Sequence, residues 1–149
     1  MNWGQRMGYP LVLLWLLGPV AMASDAAKVS WHTDVPTAWK VTQEQGRPLL
    51  VFVTRGDCYY CSQMKDRTYN NVAVAMAINQ SFVPLVLDGA GQSALLKELK
   101  VTSYPSTFVI SPQAVIMGRI DGYVAPEVLA TRLLGMRPQV PVASVAKDP

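Results

Sequence analysis

The sequence is short of the residues that hold metals: two cysteines and one histidine among 149 residues do not fill the tetrahedral Cys/His set of a structural zinc ion. It is equally short of concentrated charge. Its 13 Lys plus Arg and 10 Asp plus Glu leave a net +3 spread thinly, with no basic run to track a phosphate backbone, so nucleic acid is excluded as a partner. Beyond residue 20 no apolar stretch approaches the roughly 20 residues of a membrane-spanning helix. No internal repeat and no break in composition divides the chain. What it has is apolar material, 50% hydrophobic against 15% charged with four Trp and six Tyr, enough for one packed domain and incompatible with disorder.

The amino end reads as a compartment signal. Arg6 precedes an apolar run from Tyr9 to Leu17, then Gly18-Pro19, then Ala21-Met22-Ala23. That order predicts a signal peptide over 1–23 cleaved after Ala23, the alternative being an uncleaved amino-terminal anchor. Ser24 is no cysteine, so lipid attachment there is excluded. The mature chain is expected to be periplasmic or secreted, where disulfides persist.

The apolar pattern predicts alternating elements. Asp34-Val35-Pro36 reads as an N-cap with proline in the first turn, and Ala38, Trp39, Val41 and Thr42 as an apolar stripe, giving a helix over 35–45 that ends near Gly46. Pro48 opens Leu49 to Thr54, a continuous run rich in β-branched residues that reads as a central strand buried on both faces. The stretch 58–79 reads as helical, interrupted near Asn70-Asn71, with Met64, Val72, Val74, Met76 and Ile78 as buried positions. A second strand covers 82–87. Because Pro84 has no N–H for a ladder, that strand belongs at an edge or turns the proline nitrogen outward. Leu95, Leu96 and Leu99 mark a short helix over 91–99, and Val101 to Pro105 a turn. Segments 107–111 and 114–121 form a hairpin across Pro112-Gln113, and 125–134 a last helix. Val29 to Trp31 is a candidate extra strand. The order implies one α/β domain over 24–135, a central mixed sheet of four to five strands flanked by helices, followed by a proline-rich flexible tail over 136–149.

Cys58 and Cys61 carry the chemistry. A disulfide between them closes so short a ring that it removes little unfolded-state entropy, which argues for reactivity over stapling. Following a strand and opening a helix, Cys58 sits where unsatisfied N–H groups and the positive end of the helix dipole stabilise a thiolate. Cys61, one turn on, is placed to attack a mixed disulfide formed by Cys58. A structural role and a metal site stay open as other uses of the pair. Copper(I) needs only two thiolates, with Met64 as an added donor.

The strand Leu49 to Thr54, the Cys58-Tyr59-Tyr60-Cys61 motif and Tyr104-Pro105-Ser106-Thr107 ahead of a strand together resemble the thioredoxin superfamily. Trp31, Ala38, Gly46-Arg47-Pro48, Phe82-Val83-Pro84 and Asp88 extend the match, whose spacing is similar to the reductase module of transmembrane thiol:disulfide interchange proteins. The resemblance spans 31–134. It implies a thioredoxin fold and a catalytic Cys58/Cys61 couple with no organic cofactor and no metal. It also implies that Pro105 is cis and faces the dithiol, and that Tyr104 offers backbone groups to an extended substrate segment. Substrates would be exported cysteine-containing proteins, handled by a monomer. A reductant outside the cytoplasm has no soluble nicotinamide supply, so its partner would be a membrane thiol electron donor.

The chain departs from thioredoxins at informative places. Asp57 stands where they carry Trp, Tyr59-Tyr60 where they carry Gly-Pro, and Phe52 where they bury a carboxylate that helps deprotonate the second thiol. Cys61 must then lose its proton to water or to another group. With no His between the cysteines and with Asp57 opposing negative charge on Cys58, the centre is expected to be reducing to intermediate, acting in reduction or isomerisation. From a different class come two alternatives, a copper(I) carrier and a thioredoxin-fold adaptor whose dithiol is incidental. His32 reads as a surface or packing residue, Trp39 and Met76 as core-facing, and Lys65, Asp66 and Arg67 as a solvated face. Arg55 or Lys65 is available to tune the thiolate or guide an acidic partner. Tyr59 and Tyr60, adjacent at an exposed helix start, cannot both be buried by one face, so they read as substrate-binding surface beside the dithiol. Replacing either by Ala is expected to lower turnover of a disulfide substrate more than it lowers the unfolding temperature, and equal losses in both measurements would remove that role.

Overall fold

The computed structural model describes residues 27–91 and 93–137. The expected signal peptide over 1–23 lies outside the described residues, as does the expected tail from 138 onward. No described helix is long and apolar enough to cross a membrane.

Helix α1 (Val35–Gln45) forms where the capping pattern placed it. Asp34 accepts a hydrogen bond from the Thr37 N–H at 2.8 Å, Pro36 sits in the first turn, and the helix ends at Gly46 with φ +64°. Only glycine takes that left-handed conformation without steric cost. Strand β1 (Leu49–Thr54) follows, buried at all 6 positions. It pairs in parallel with β2 (Val83–Asp88) and antiparallel with β3 (Ser106–Ile110), which pairs antiparallel with β4 (Ile116–Asp121). The sheet order is β2-β1-β3-β4, at the lower end of the expected four to five strands.

Side chains alternate across β1 and so feed two cores. Leu50 and Phe52 join Met64, Tyr69, Ile78 and Leu129 on one face, while Leu49, Val51 and Val53 join Ala38, Leu85, Leu96 and Phe108 on the other. Helix α2 (Tyr59–Gln63) runs into a π-helical turn (Met64–Tyr69), which with α3 (Val72–Ser81) and α5 (Pro126–Gly135) covers the first face. The second is covered by α1 and α4 (Ser93–Glu98). Trp39 is half-buried against that second core, as its place on the stripe implied.

Several expectations are corrected. Val72 and Met76 are not core residues but 43% and 47% exposed. The inward face of α3 is Val74, Ala75 and Ile78, and positions 72 and 76 lie more than a right angle around the helix from the centre of that face. The extra strand at Val29 to Trp31 does not form. In its place a single bridge joins His32 to Leu85: the His32 N–H donates to the Pro84 carbonyl at 2.8 Å, and the Val86 N–H donates to the His32 carbonyl at 2.9 Å. The next rung would need an N–H from Pro84, which has none, so the ladder stops. The same geometry turns the proline nitrogen away from β1, as expected. The helical interruption falls at Asn70-Asn71, where Asn71 caps α3 by accepting from the Val74 N–H at 3.2 Å. Ahead of it the Asn70 N–H donates to the Lys65 carbonyl, an i to i−5 bond that apolar spacing did not foretell.

Hydrogen bonds from Thr37, through its side chain and its backbone N–H, hold the Asp34 carboxyl below the usual range. The contribution of this cap is therefore complete above the unfolded carboxyl pKa of about 3.9 and is lost as pH falls through the lowered folded value. Asp34→Asn keeps a capping side chain without the charge. It is expected to flatten the acid limb of a plot of unfolding temperature against pH, and an unchanged limb would assign the acid sensitivity to other carboxylates.

Candidate active site at the end of the central strand

The antiparallel register of β1 and β3 pairs Val53 with Ser106. Chain leaving β1 after Thr54 and chain entering β3 through Pro105 therefore project from the same end of the sheet. Cys58 lies on the first of these segments, as the N-cap residue of α2 in extended conformation, and its Sγ accepts the Cys61 N–H at 3.1 Å. The two cysteines form a disulfide with their Cα atoms 5.2 Å apart. Cys58 is partly exposed, whereas Cys61 is 1% exposed. One sulfur is thus open to attack from outside and the other sits behind it. After reduction, the same N–H is positioned to stabilise a Cys58 thiolate through a charge-assisted hydrogen bond.

On the second segment the Tyr104-Pro105 peptide bond is cis, in agreement with the resemblance. Pro105 is buried, and its carbonyl accepts the Gly122 N–H at 2.8 Å. The Tyr104 ring lies under the Arg55 guanidinium, 5.3 Å from its carbon, and against Gly89. A Cβ built on Gly89 would stand 2.7 Å from Tyr104 Cε1, so the ring occupies space that only glycine leaves free. Gly89 is itself anchored, its N–H donating to the Thr54 carbonyl at 2.8 Å. Tyr104 therefore meets the chain just beyond β1 and just beyond β2. Neither contact was legible in the sequence, where Asp88-Gly89 reads only as the end of a strand, because residues from separate loops meet there.

Tyr59 and Tyr60 are 70% and 60% exposed, with ring centroids 5.4 Å apart in an edge-to-face pair. The Asp57 carboxylate lies 3.6 Å from Arg55 Nε, so the negative charge expected to oppose a Cys58 thiolate has a cation beside it. Phe52 is 1% exposed and packs at 5.8 Å from Trp31 and 4.7 Å from Tyr69 between ring centroids. Burial pushes the Tyr69 phenol pKa up, and a 2.8 Å hydrogen bond to the Thr107 hydroxyl satisfies it. A groove of about 360 Å3 borders this aromatic cluster, with the exposed Lys65 and Asp66 among its lining residues. Met64, the added donor of the copper reading, is 0% exposed within the core. Among the described residues no three His, Cys, Asp or Glu side chains gather to hold a metal ion.

A family model described as a thioredoxin-like domain matches residues 35–136. The chain belongs to the thioredoxin-like domain family. Three solved structures illustrate the likeness of fold. A DsbH oxidoreductase superimposes with a TM-score of 0.67 at 17% identity, covering 83% of this chain and 91% of its own. A thioredoxin from Thermus thermophilus gives 0.66 at 21%, covering 72% and 85%. The oxidised DsbD c-terminal domain of Neisseria meningitidis gives 0.64 at 19%, covering 72% and 100%. No curated protein matches the chain. In this thioredoxin-like domain the mixed sheet and its flanking helices are the thioredoxin fold, and its Cys-x-x-Cys disulfide at a helix start makes the protein a thiol:disulfide oxidoreductase.

Gly89→Ala is expected to push the Tyr104 ring off its seat while leaving the Cys58-Cys61 disulfide able to form. Turnover of a protein disulfide should fall with little change in unfolding temperature. Unchanged turnover would show that the seat of the Tyr104 ring does not matter.

Proposed function

We propose that the protein is exported and uses its Cys58/Cys61 couple to reduce or isomerise disulfides of other exported proteins. The observation that carries this reading is the pairing of a partly exposed Cys58, hydrogen-bonded by the Cys61 N–H, with a buried Cys61 directly behind it. The Cys58 thiolate attacks one sulfur of a substrate disulfide, forming a mixed disulfide and expelling the other substrate sulfur as a thiolate. Cys61 loses its proton and attacks Cys58 Sγ, expelling the second substrate thiolate and closing the Cys58-Cys61 disulfide. Two electrons have passed to the substrate. Tyr104 and Pro105 form the edge along which the substrate backbone lies, and Tyr59 and Tyr60 give apolar surface to the residues around its cysteine.

The direction is read from the sequence around Cys58: no histidine lies between the cysteines, and the residue before Cys58 is Asp57, its charge shared with Arg55. These features favour a reductant. Export is supported by the amino-terminal pattern ending at Ala23, and a reductant in that compartment takes its electrons from a membrane thiol donor. A DsbD c-terminal domain has been solved both oxidised and reduced, and the same two-state cycle is proposed for this chain.

Equilibration of the purified protein against glutathione tests the reading. A reduction potential below about −220 mV is expected of a reductant and one of about −180 mV of an isomerase, whereas one of about −120 mV would make the protein an oxidant and overturn the proposed direction. Failure to form a reversible disulfide would overturn the oxidoreductase reading. Cys61→Ser should accumulate mixed disulfides in cells and so identify the substrates.

A further inference from the structure

Strand β4 supplies nothing to the dithiol, yet two of its side chains fasten the loop that carries Tyr104 and Pro105. Arg119 Nε lies 2.9 and 2.7 Å from the two carboxylate oxygens of Asp121. Its Nη1 donates to the Lys100 carbonyl at 2.8 Å and reaches the Leu99 carbonyl at 3.3 Å. The guanidinium carbon lies 5.1 Å from the centroid of the Phe108 ring. At the other end Asp121 Oδ1 lies 2.9 Å from Ser106 Oγ, which is also 2.7 Å from the Ser103 carbonyl. Ser106 is 0% exposed, and its single hydroxyl proton serves both acceptors.

These contacts form one chain from the carbonyls of Leu99 and Lys100, through Arg119, Asp121 and Ser106, to Ser103. It begins at one end of the loop 99–106 and closes around Tyr104 and Pro105 at the other. The Gly122 N–H, next along β4, holds the Pro105 carbonyl directly. The forked guanidinium meets the carboxylate through Nε and the two carbonyls through Nη1, a span that the single nitrogen of an ammonium does not provide. The Arg119 and Asp121 side chains are 29% and 45% exposed, so the pair adds little to stability and its effect is geometric.

We propose that Arg119 and Asp121 are positioning residues that set the cis-proline loop for a substrate backbone. The inference rests on the oxidoreductase reading above, in which that loop pairs with a polypeptide. A small disulfide that makes no backbone pairing does not need the loop in register, whereas a protein disulfide does.

The test compares wild type with Arg119→Met, Arg119→Lys and Asp121→Asn on two disulfides, insulin and dithiobis(nitrobenzoate). For Arg119→Met and Arg119→Lys, kcat/KM on insulin is expected to fall about tenfold, mainly through KM, as for a displaced positioning group. Turnover of the small disulfide and the Cys58/Cys61 potential should stay at wild-type values. Arg119→Lys keeps the charge and much of the stem, so it guards against misfolding, yet its compact ammonium cannot span both attachments. Asp121→Asn should show the same substrate-selective loss. Equal losses on both disulfides, or no loss on insulin, would overturn the inference and leave the oxidoreductase reading intact. A wild-type protein inert towards both would remove the reading and the inference with it.

Discussion

The antiparallel pairing of Val53 with Ser106 is the constraint on which the site depends. It fixes β1 against β3 so that Thr54 and Pro105 leave the sheet side by side, and the rest of the site hangs from those two exits. A slip of one residue would exchange the two faces of β1, sending Phe52 toward α1 and Val53 toward the aromatic cluster. The register is held because every position of β1 is buried and each face meets a different core. The parallel strand on the other side adds a third exit, with the Gly89 N–H bonded to the Thr54 carbonyl. Arg55, Gly89 and Tyr104 meet for that reason.

Within this frame the two sulfurs are made unequal by position. Cys58 caps the helix from the solvent side, while Cys61 lies one turn in with 1% exposure. The asymmetry leaves Cys58 open to attack from outside and Cys61 behind it. It also raises the question of where the proton of Cys61 goes, because Phe52 stands in the core with Trp31 and Tyr69 around it. An ionised carboxylate placed in that cluster would be desolvated. The same burial that pushes the Tyr69 pKa up would act on any such group. Phe52 itself has no group to accept a proton, which leaves that of Cys61 to water or to another group.

How much of this was legible in the sequence depends on the range of the interaction. Asp34, Pro36 and Gly46 delimit α1 through bonds within a few residues, and the unbroken apolar run of β1 announces a strand covered on both faces. Pro84 was readable because a missing N–H has one consequence wherever it falls. Val72 and Met76 were misread because apolar character alone does not tell which arc of a helix faces the sheet. The π-helical turn depends on a bond from Asn70 to Lys65 that no apolar period encodes. The cysteines and the cis proline were recognisable as a pattern, whereas the groups that hold that proline were not. Nothing in the sequence marks Arg119 and Asp121 until the fold brings Leu99, Lys100 and Ser106 to them.

The distribution of exposure separates what folds the protein from what stands at the surface beside the dithiol. The residues that keep the strand ends in register are apolar and buried, and changing them costs cavity or strain before it touches chemistry. The residues that differ from thioredoxins around Cys58 are mostly at the surface: Asp57 paired with Arg55, then Tyr59 and Tyr60. Exposed aromatic rings gain little for the fold, since their apolar area remains in water, so their contribution arises only when another surface covers them. A substrate that presents apolar side chains beside its cysteine would bury both tyrosines while its sulfur approaches Cys58. These exposed side chains form a rim beside the dithiol on which the packed core does not draw.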